Sequence, residues 1–65
     1  MFIVEYFNKA TEKVVKSLTY QTPTSVPRSG DLVYLDGIYY IVGNSIWIYY
    51  SDDTVRVVVN VHKEI

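Results

Sequence analysis

The sequence predicts an all-β fold: a small, partly open barrel of about five to six antiparallel strands built from hairpins. Ten of the 65 residues are aromatic, and valine and isoleucine dominate the aliphatic residues, which favours the pleated surface of a sheet. Alanine occurs once and leucine three times, so the chain lacks the usual helix formers. No segment repeats apolar residues at the spacing of a helix over more than about two turns.

The N-terminal part of this single domain, residues 1–20, is predicted to be a hairpin. Apolar and β-branched residues mark strands over about residues 2–7 and 13–20, and polar residues 8–12 connect them. A short helical turn over residues 8–15 is the alternative interpretation of this connection.

Both prolines of the chain fall in residues 21–30. Proline has no N–H to donate to a ladder, so this segment is predicted to be a crossover loop.

The C-terminal part, residues 31–65, is predicted to be a meander of two hairpins. Asp36 and Gly37 lie between two apolar segments, and both tolerate the positive φ of a type I′ turn. A second turn is predicted at residues 51–54. Between the hairpins, residues 43–45 (Gly-Asn-Ser) interrupt the apolar run, which predicts a turn or a bulge.

The assumed length of the second turn determines which side chains share a face. If Asp52 and Asp53 alone form the loop, Tyr50 lies opposite Val55 and Trp47 lies opposite Val58. The predicted core face is then apolar apart from one hydroxyl: Ile46, Ile48, Tyr50, Val55, Val57 and Val59. The opposite face carries Trp47, Tyr49, Arg56, Val58 and Asn60.

The aromatic face is the candidate partner-binding site. A single copy with so few strands covers only one side of its sheet well, and Trp, Tyr and Arg dominate binding hot spots. We therefore expect an interaction surface, with a homodimer as the favoured form. In the alternative interpretation, residues 21–30 and the first strand fold over these rings and make them part of the core. The predicted partner-binding residues are Trp47, Tyr49, Arg56, Val58, Tyr39 and Tyr34.

No motif indicates catalysis, a metal site or a cofactor. There is no cysteine, His62 is the only histidine, and no serine lies in a context that would activate it. Adjacent Asp52 and Asp53 are typical of a turn rather than of a paired-carboxylate site. Exposed rings on a small barrel can stack nucleic-acid bases, but Arg56 alone lies among them and the net charge is −1, so oligonucleotide or small-ligand binding is the weaker alternative.

The location expected from the sequence is the cytoplasm. The longest apolar run, residues 38–42, is far shorter than the roughly 20 residues of a membrane helix. Glu5 interrupts the apolar N-terminus, which also lacks the basic region of a signal peptide. The absence of cysteine is compatible with a reducing compartment.

About two-thirds of the chain resembles a broad group of short, mostly uncharacterised proteins of bacteriophages and bacterial mobile elements. Their pattern is Pro-x-x-Gly-Asp-x-Val, then Gly-x-x-Tyr-x-Val, a tryptophan and a closing alternating valine strand. The matching positions here are Pro27, Gly30, Asp31, Val33, Gly37, Tyr40, Val42 and Trp47, followed by residues 55–61.

This resemblance implies a frame similar to SH3-like small barrels. The Ala-Leu-Tyr-Asp-Tyr run of peptide-binding SH3 domains is absent, so recognition of proline-rich peptides is not implied. The resemblance implies a self-associating accessory protein that inhibits a host protein in the host cytoplasm, for example an antiviral defence protein. A minor structural or adaptor component of a phage particle or bacterial assembly is the alternative role.

Overall fold

A computed structural model describes residues 1–64 and shows one mixed sheet of five strands. The strand order is β2-β1-β5-β4-β3, and the sheet curls into a half-barrel. None of residues 1–64 belongs to a helix that could cross a membrane. The all-β prediction is confirmed. The strands are β1 (Phe2–Asn8), β2 (Lys13–Tyr20), β3 (Leu32–Leu35), β4 (Ile38–Tyr49) and β5 (Val55–Lys63).

The first and last strands pair in parallel at the centre of the sheet, so the prediction of a purely antiparallel barrel is wrong. Val4 lies beside Val57 and Tyr6 beside Val59, while the other three strand pairs are antiparallel. Hairpin signals report only contacts between consecutive strands, whereas this pairing joins segments about 50 residues apart. The intervening strands form the crossover that a parallel pair requires.

The inner face of the half-barrel holds the hydrophobic core. Alternate residues of β1 and β5 point to this face, and Val57 and Val59 have no exposed surface. Tyr6 is also buried, and burial raises the pKa of its hydroxyl above the ordinary value. The core residues are Phe2, Val4, Tyr6, Leu35, Tyr40, Val42, Val57, Val59 and Val61.

An ion pair connects the two edges of the curled sheet. The Lys16 ammonium of β2 lies 3.1 Å from the Asp36 carboxylate in the β3–β4 turn, although β2 and β3 are the outermost strands. Val26 of the long loop packs against the core. The loop over residues 21–31 therefore covers one end of the inner face and leaves the other end, at the β4–β5 hairpin, open.

The β3–β4 hairpin has the predicted turn and register. Asp36 and Gly37 have φ values of 49° and 94°, as a type I′ turn requires. Leu35 pairs with Ile38 and Val33 with Tyr40, so the prediction of this register is confirmed.

The predicted interruption at residues 43–45 is a bulge within one long strand. Val42 pairs with Val61 and Ser45 with Val59, so three steps along β4 match two steps along β5. Before the bulge the even-numbered residues of β4 point to the inner face, and after it the odd-numbered residues do. Of residues 8–15, for which a helical turn is the alternative prediction, residues 9–12 form a turn that is not helical and the others belong to β1 and β2.

Replacing Val57 with alanine is expected to lower the free energy of unfolding by about 1–3 kcal/mol, because it removes two methyl groups from a fully buried site. Val14→Ala, at a valine that is 51% exposed on the edge strand β2, is the matched control and should cost much less. Urea denaturation followed by circular dichroism measures both values. Equal losses would contradict the assignment of the inner face.

Candidate protein-binding surface

The turn between β4 and β5 contains three residues, Ser51 to Asp53. The Tyr50 N–H donates to the Thr54 carbonyl oxygen at 2.9 Å, which closes the loop. The Thr54 N–H donates to Asp52 Oδ1 at 3.0 Å, and this hydrogen bond lowers the pKa of the Asp52 carboxyl group. Asp53 has a φ of 67°, the left-handed conformation expected at the last position of such a loop.

The third loop residue shifts the hairpin register by one position from the prediction. Tyr49 lies opposite Val55, and Trp47 lies opposite Val57 rather than Val58. Because side chains alternate along a strand, a one-residue shift exchanges the two faces of β4 relative to β5. The predicted core face is therefore wrong for β4: Ile46 and Ile48 lie on the outer face.

Trp47 covers part of the inner face without being enclosed by it. Its ring centroid is 5.9 Å from that of Phe2 on β1, in an edge-to-face arrangement at 63°. Because Trp47 lies beside Val57 and Phe2 lies beside Val55, the indole reaches diagonally across β5 to the next strand. Trp47 nevertheless remains 46% exposed, and Tyr49 beyond it is 73% exposed. Residues 21–30 do not bury these rings.

Arg56 lies on the outer face and forms an ion pair with Glu5. The Arg56 Nη2 and Nε atoms donate to Glu5 Oε1 at 2.6 and 2.9 Å. The hydrogen bonds that Arg56 donates to the Glu5 carboxylate raise the pKa of Arg56 above its ordinary value. Arg56 is therefore held by its own chain, and its guanidinium cannot stack on Tyr49 because the two side chains lie on opposite faces.

Tyr34 and Tyr39 form a separate aromatic pair at the far end of β4. Their ring centroids are 4.8 Å apart with planes tilted by 58°, and both rings are exposed. Tyr39 is seven positions along β4 from Ile46, the partner of Val58, which is roughly 20 Å at 3.3 Å per residue because the bulge takes up one position. The six predicted residues thus occupy three places. Trp47 and Tyr49 lie on the inner face of the sheet, Arg56 and Val58 lie on the outer face, and the tyrosine pair lies at the distant end of β4.

Four large exposed side chains instead lie within five consecutive residues before the β4–β5 loop, two on each face of the sheet. Ile46, Trp47, Tyr49 and Tyr50 are 54%, 46%, 73% and 45% exposed, and we name them the hairpin-end surface. The sequence predicts Ile46 and Tyr50 to be core residues, which is wrong. The signal that could have found them is loop length, since a three-residue loop exposes them and a two-residue loop does not.

One edge of this surface has no backbone partner among residues 1–64. β3 pairs with β4 only at Ile38 to Ile41, and Gly30 and Asp31 extend the contact to Val42. From residue 45 to residue 49, β4 pairs with β5 on one side alone. We call this stretch the free edge.

No arrangement of reactive groups accompanies these surfaces. Residues 1–64 contain no group of three or more histidine, cysteine or acidic side chains that could hold a metal ion. His62 is exposed, and Asp52 and Asp53 lie in the turn.

Comparisons with models of protein families, with curated proteins and with solved structures each found no match to this chain.

Asp53→Gly is expected to raise the free energy of unfolding by about 0.5–1 kcal/mol, because glycine adopts a φ of 67° without the strain that other residues incur. Asp53→Val, which cannot adopt this φ without strain, should lower it. Thermal unfolding of the three proteins measures the order. A neutral or destabilising Asp53→Gly would contradict the left-handed conformation of Asp53.

Glu5→Gln is expected to lower stability more than Lys16→Gln does. The Glu5 side chain is only 18% exposed and accepts two hydrogen bonds from Arg56, whereas the Lys16–Asp36 pair is more open to solvent. Denaturant unfolding at low and high salt compares the two variants. Equal and fully salt-screened losses would show that Arg56 is not held in this pair.

Proposed function

We propose that the chain is a non-enzymatic protein-binding domain that acts through the hairpin-end surface. The observation that carries this proposal is the exposure of four large apolar or aromatic side chains in five consecutive residues, on both faces of one strand. Single exposed apolar residues are ordinary, whereas a contiguous patch of this kind is typical of an interaction site.

The chemistry of the hairpin-end surface favours a protein partner. Trp and Tyr offer large, rigid contact areas and are enriched in binding hot spots. No charged residue occurs from Gly37 to Ser51, so nothing on this strand attracts phosphate groups. The Arg56 guanidinium on β5 is already paired with Glu5. These features disfavour the oligonucleotide alternative.

The biological setting that we propose comes from the resemblance to short phage and mobile-element proteins. In that setting the domain is an accessory protein that blocks a host protein, for example one of an antiviral defence system, by surface contact alone. Its small size suits this role, because a rigid hairpin can present a compact set of anchors without a catalytic scaffold.

A pull-down from bacterial host lysate tests this function with matched variants. The test variant is Ile46→Ser/Tyr49→Ser, which removes exposed side chains and leaves the Trp47–Phe2 contact in place. The control is Leu32→Ser, which removes a residue that is 52% exposed on β3. We expect wild type and control to capture the same proteins, and a purified captured protein to bind the test variant at least about tenfold more weakly.

Two results would contradict the proposal. One is the absence of any protein retained by wild type. The other is equal retention by the wild type and by a folded Ile46→Ser/Tyr49→Ser variant.

A further inference from the structure

The backbone groups of the free edge alternate in direction along β4. The Val55 N–H donates to the Met1 carbonyl oxygen at 3.0 Å and so points away from β4. Tyr49, opposite Val55, therefore belongs to a non-hydrogen-bonded pair, and its own N–H and C=O point outward. The same alternation directs the backbone groups of Trp47 and Ser45 outward. The free edge thus presents three donors and three acceptors in strand geometry.

Most exposed sheet edges carry features that prevent pairing with another strand, and this one does not. Charged side chains, proline and bulges are the usual protection. The opposite edge strand, β2, has Lys13 and Lys16. On β4 the register shift of the bulge lies between Val42 and Ser45, and residues 45–50 contain no proline, glycine or charge.

We infer that a second copy of this chain adds its own β4 to the free edge, as an antiparallel strand around a two-fold axis at Trp47. This inference rests on the proposed function, because it names a partner of the hairpin-end surface. In this register Trp47 lies opposite Trp47 of the second copy, and Ser45 lies opposite Tyr49. All of the outward groups are then used, in about six hydrogen bonds.

The side chains favour self-pairing on both faces. Ile46 lies opposite Ile48 of the second copy on the outer face, which joins four isoleucines into one stripe. The two indoles meet on the inner face, where aromatic cross-strand pairs are favourable. A strand that is apolar on both faces and uncharged matches a copy of itself, since no like charges are brought together.

The surface area that strand pairing would bury predicts a reversible dimer. Aromatic side chains bury about 150–250 Å² each, so three partly exposed rings, Ile46 and the backbone edge supply on the order of 500 Å² per copy. The total of about 1,000 Å² lies near the lower limit for a specific interface, so we expect a dissociation constant in the micromolar range.

Sedimentation velocity over about 1 µM to about 1 mM tests the dimer with a matched pair of variants at Tyr49. Tyr49→Pro removes an outward N–H and no hydrogen bond to β5, so the monomer should fold. Tyr49→Ala loses the same ring and keeps the N–H. We expect wild type to change from monomer to dimer, and Tyr49→Pro to dimerise at least about tenfold more weakly than Tyr49→Ala.

Cysteine crosslinking tests the register and does not depend on the proline variant. The chain has no native cysteine, so Ser45→Cys and Tyr49→Cys each introduce a single thiol. Opposed residues of a hydrogen-bonded pair have Cα atoms about 5.5 Å apart, which a disulfide can span. We expect a covalent dimer when the two variants are mixed under mild oxidation, and little when either is oxidised alone.

Three results would overturn the inference. They are a wild-type protein that stays monomeric over the whole range, a dimer that Tyr49→Pro and Tyr49→Ala weaken equally, and mixed variants that do not crosslink. A monomeric wild type that still captures a host protein through the hairpin-end surface would overturn the second copy as partner and leave the proposed function standing.

Discussion

The parallel pairing of β1 with β5 is the interaction on which the rest of the structure depends. It places β5 in the middle of the sheet, between β1 and β4, and so buries Val57 and Val59 completely. It also aligns Phe2 and Val4 with the same face, which gives Trp47 its ring partner. Without this pairing the chain would consist of two separate units, an N-terminal hairpin and a three-stranded meander, each too small to enclose a core.

A second constraint lies in β4, where the bulge and the loop that follows the strand must direct the side chains to compatible faces. The bulge at residues 43–45 exchanges the faces of the strand, and the three-residue loop sets the register with β5 to match. Together they place Tyr40 and Val42 on the inner face before the bulge and Trp47 on the inner face after it. The consequence for function is that Ile46, Tyr49 and Tyr50 remain exposed on a strand that β3 is too short to cover.

The elements that follow from local signals could be predicted from the sequence. The Asp36-Gly37 turn determines its own conformation and register, and the alternation of β5 identifies Val57 and Val59 as core residues. Two features could not be obtained in this way. The β1–β5 pairing is non-local, and the β4–β5 register depends on whether Ser51 belongs to the loop or to the strand.

The candidate site shows that a difference of one residue in loop length changes which side chains share a face. The sequence identified Trp47 and Tyr49 as exposed anchors, and both are exposed. It also grouped them with Arg56 and Val58, which lie on the other face because the loop is one residue longer than assumed. The exposure of a side chain can thus be predicted while the face that it occupies is not, since composition is local and facing depends on register.

Amide hydrogen exchange along β4 is the most direct test of the three-residue loop and of the register that it sets. It is measured by NMR at a protein concentration low enough to keep the chain monomeric. The three-residue loop directs the N–H groups of Ile46 and Ile48 toward β5 and those of Trp47 and Tyr49 toward solvent. We therefore expect slow exchange at Ile46 and Ile48 and fast exchange at Trp47 and Tyr49. The reverse alternation would mean a two-residue loop, and would contradict both the inner-face position of Trp47 and the free edge.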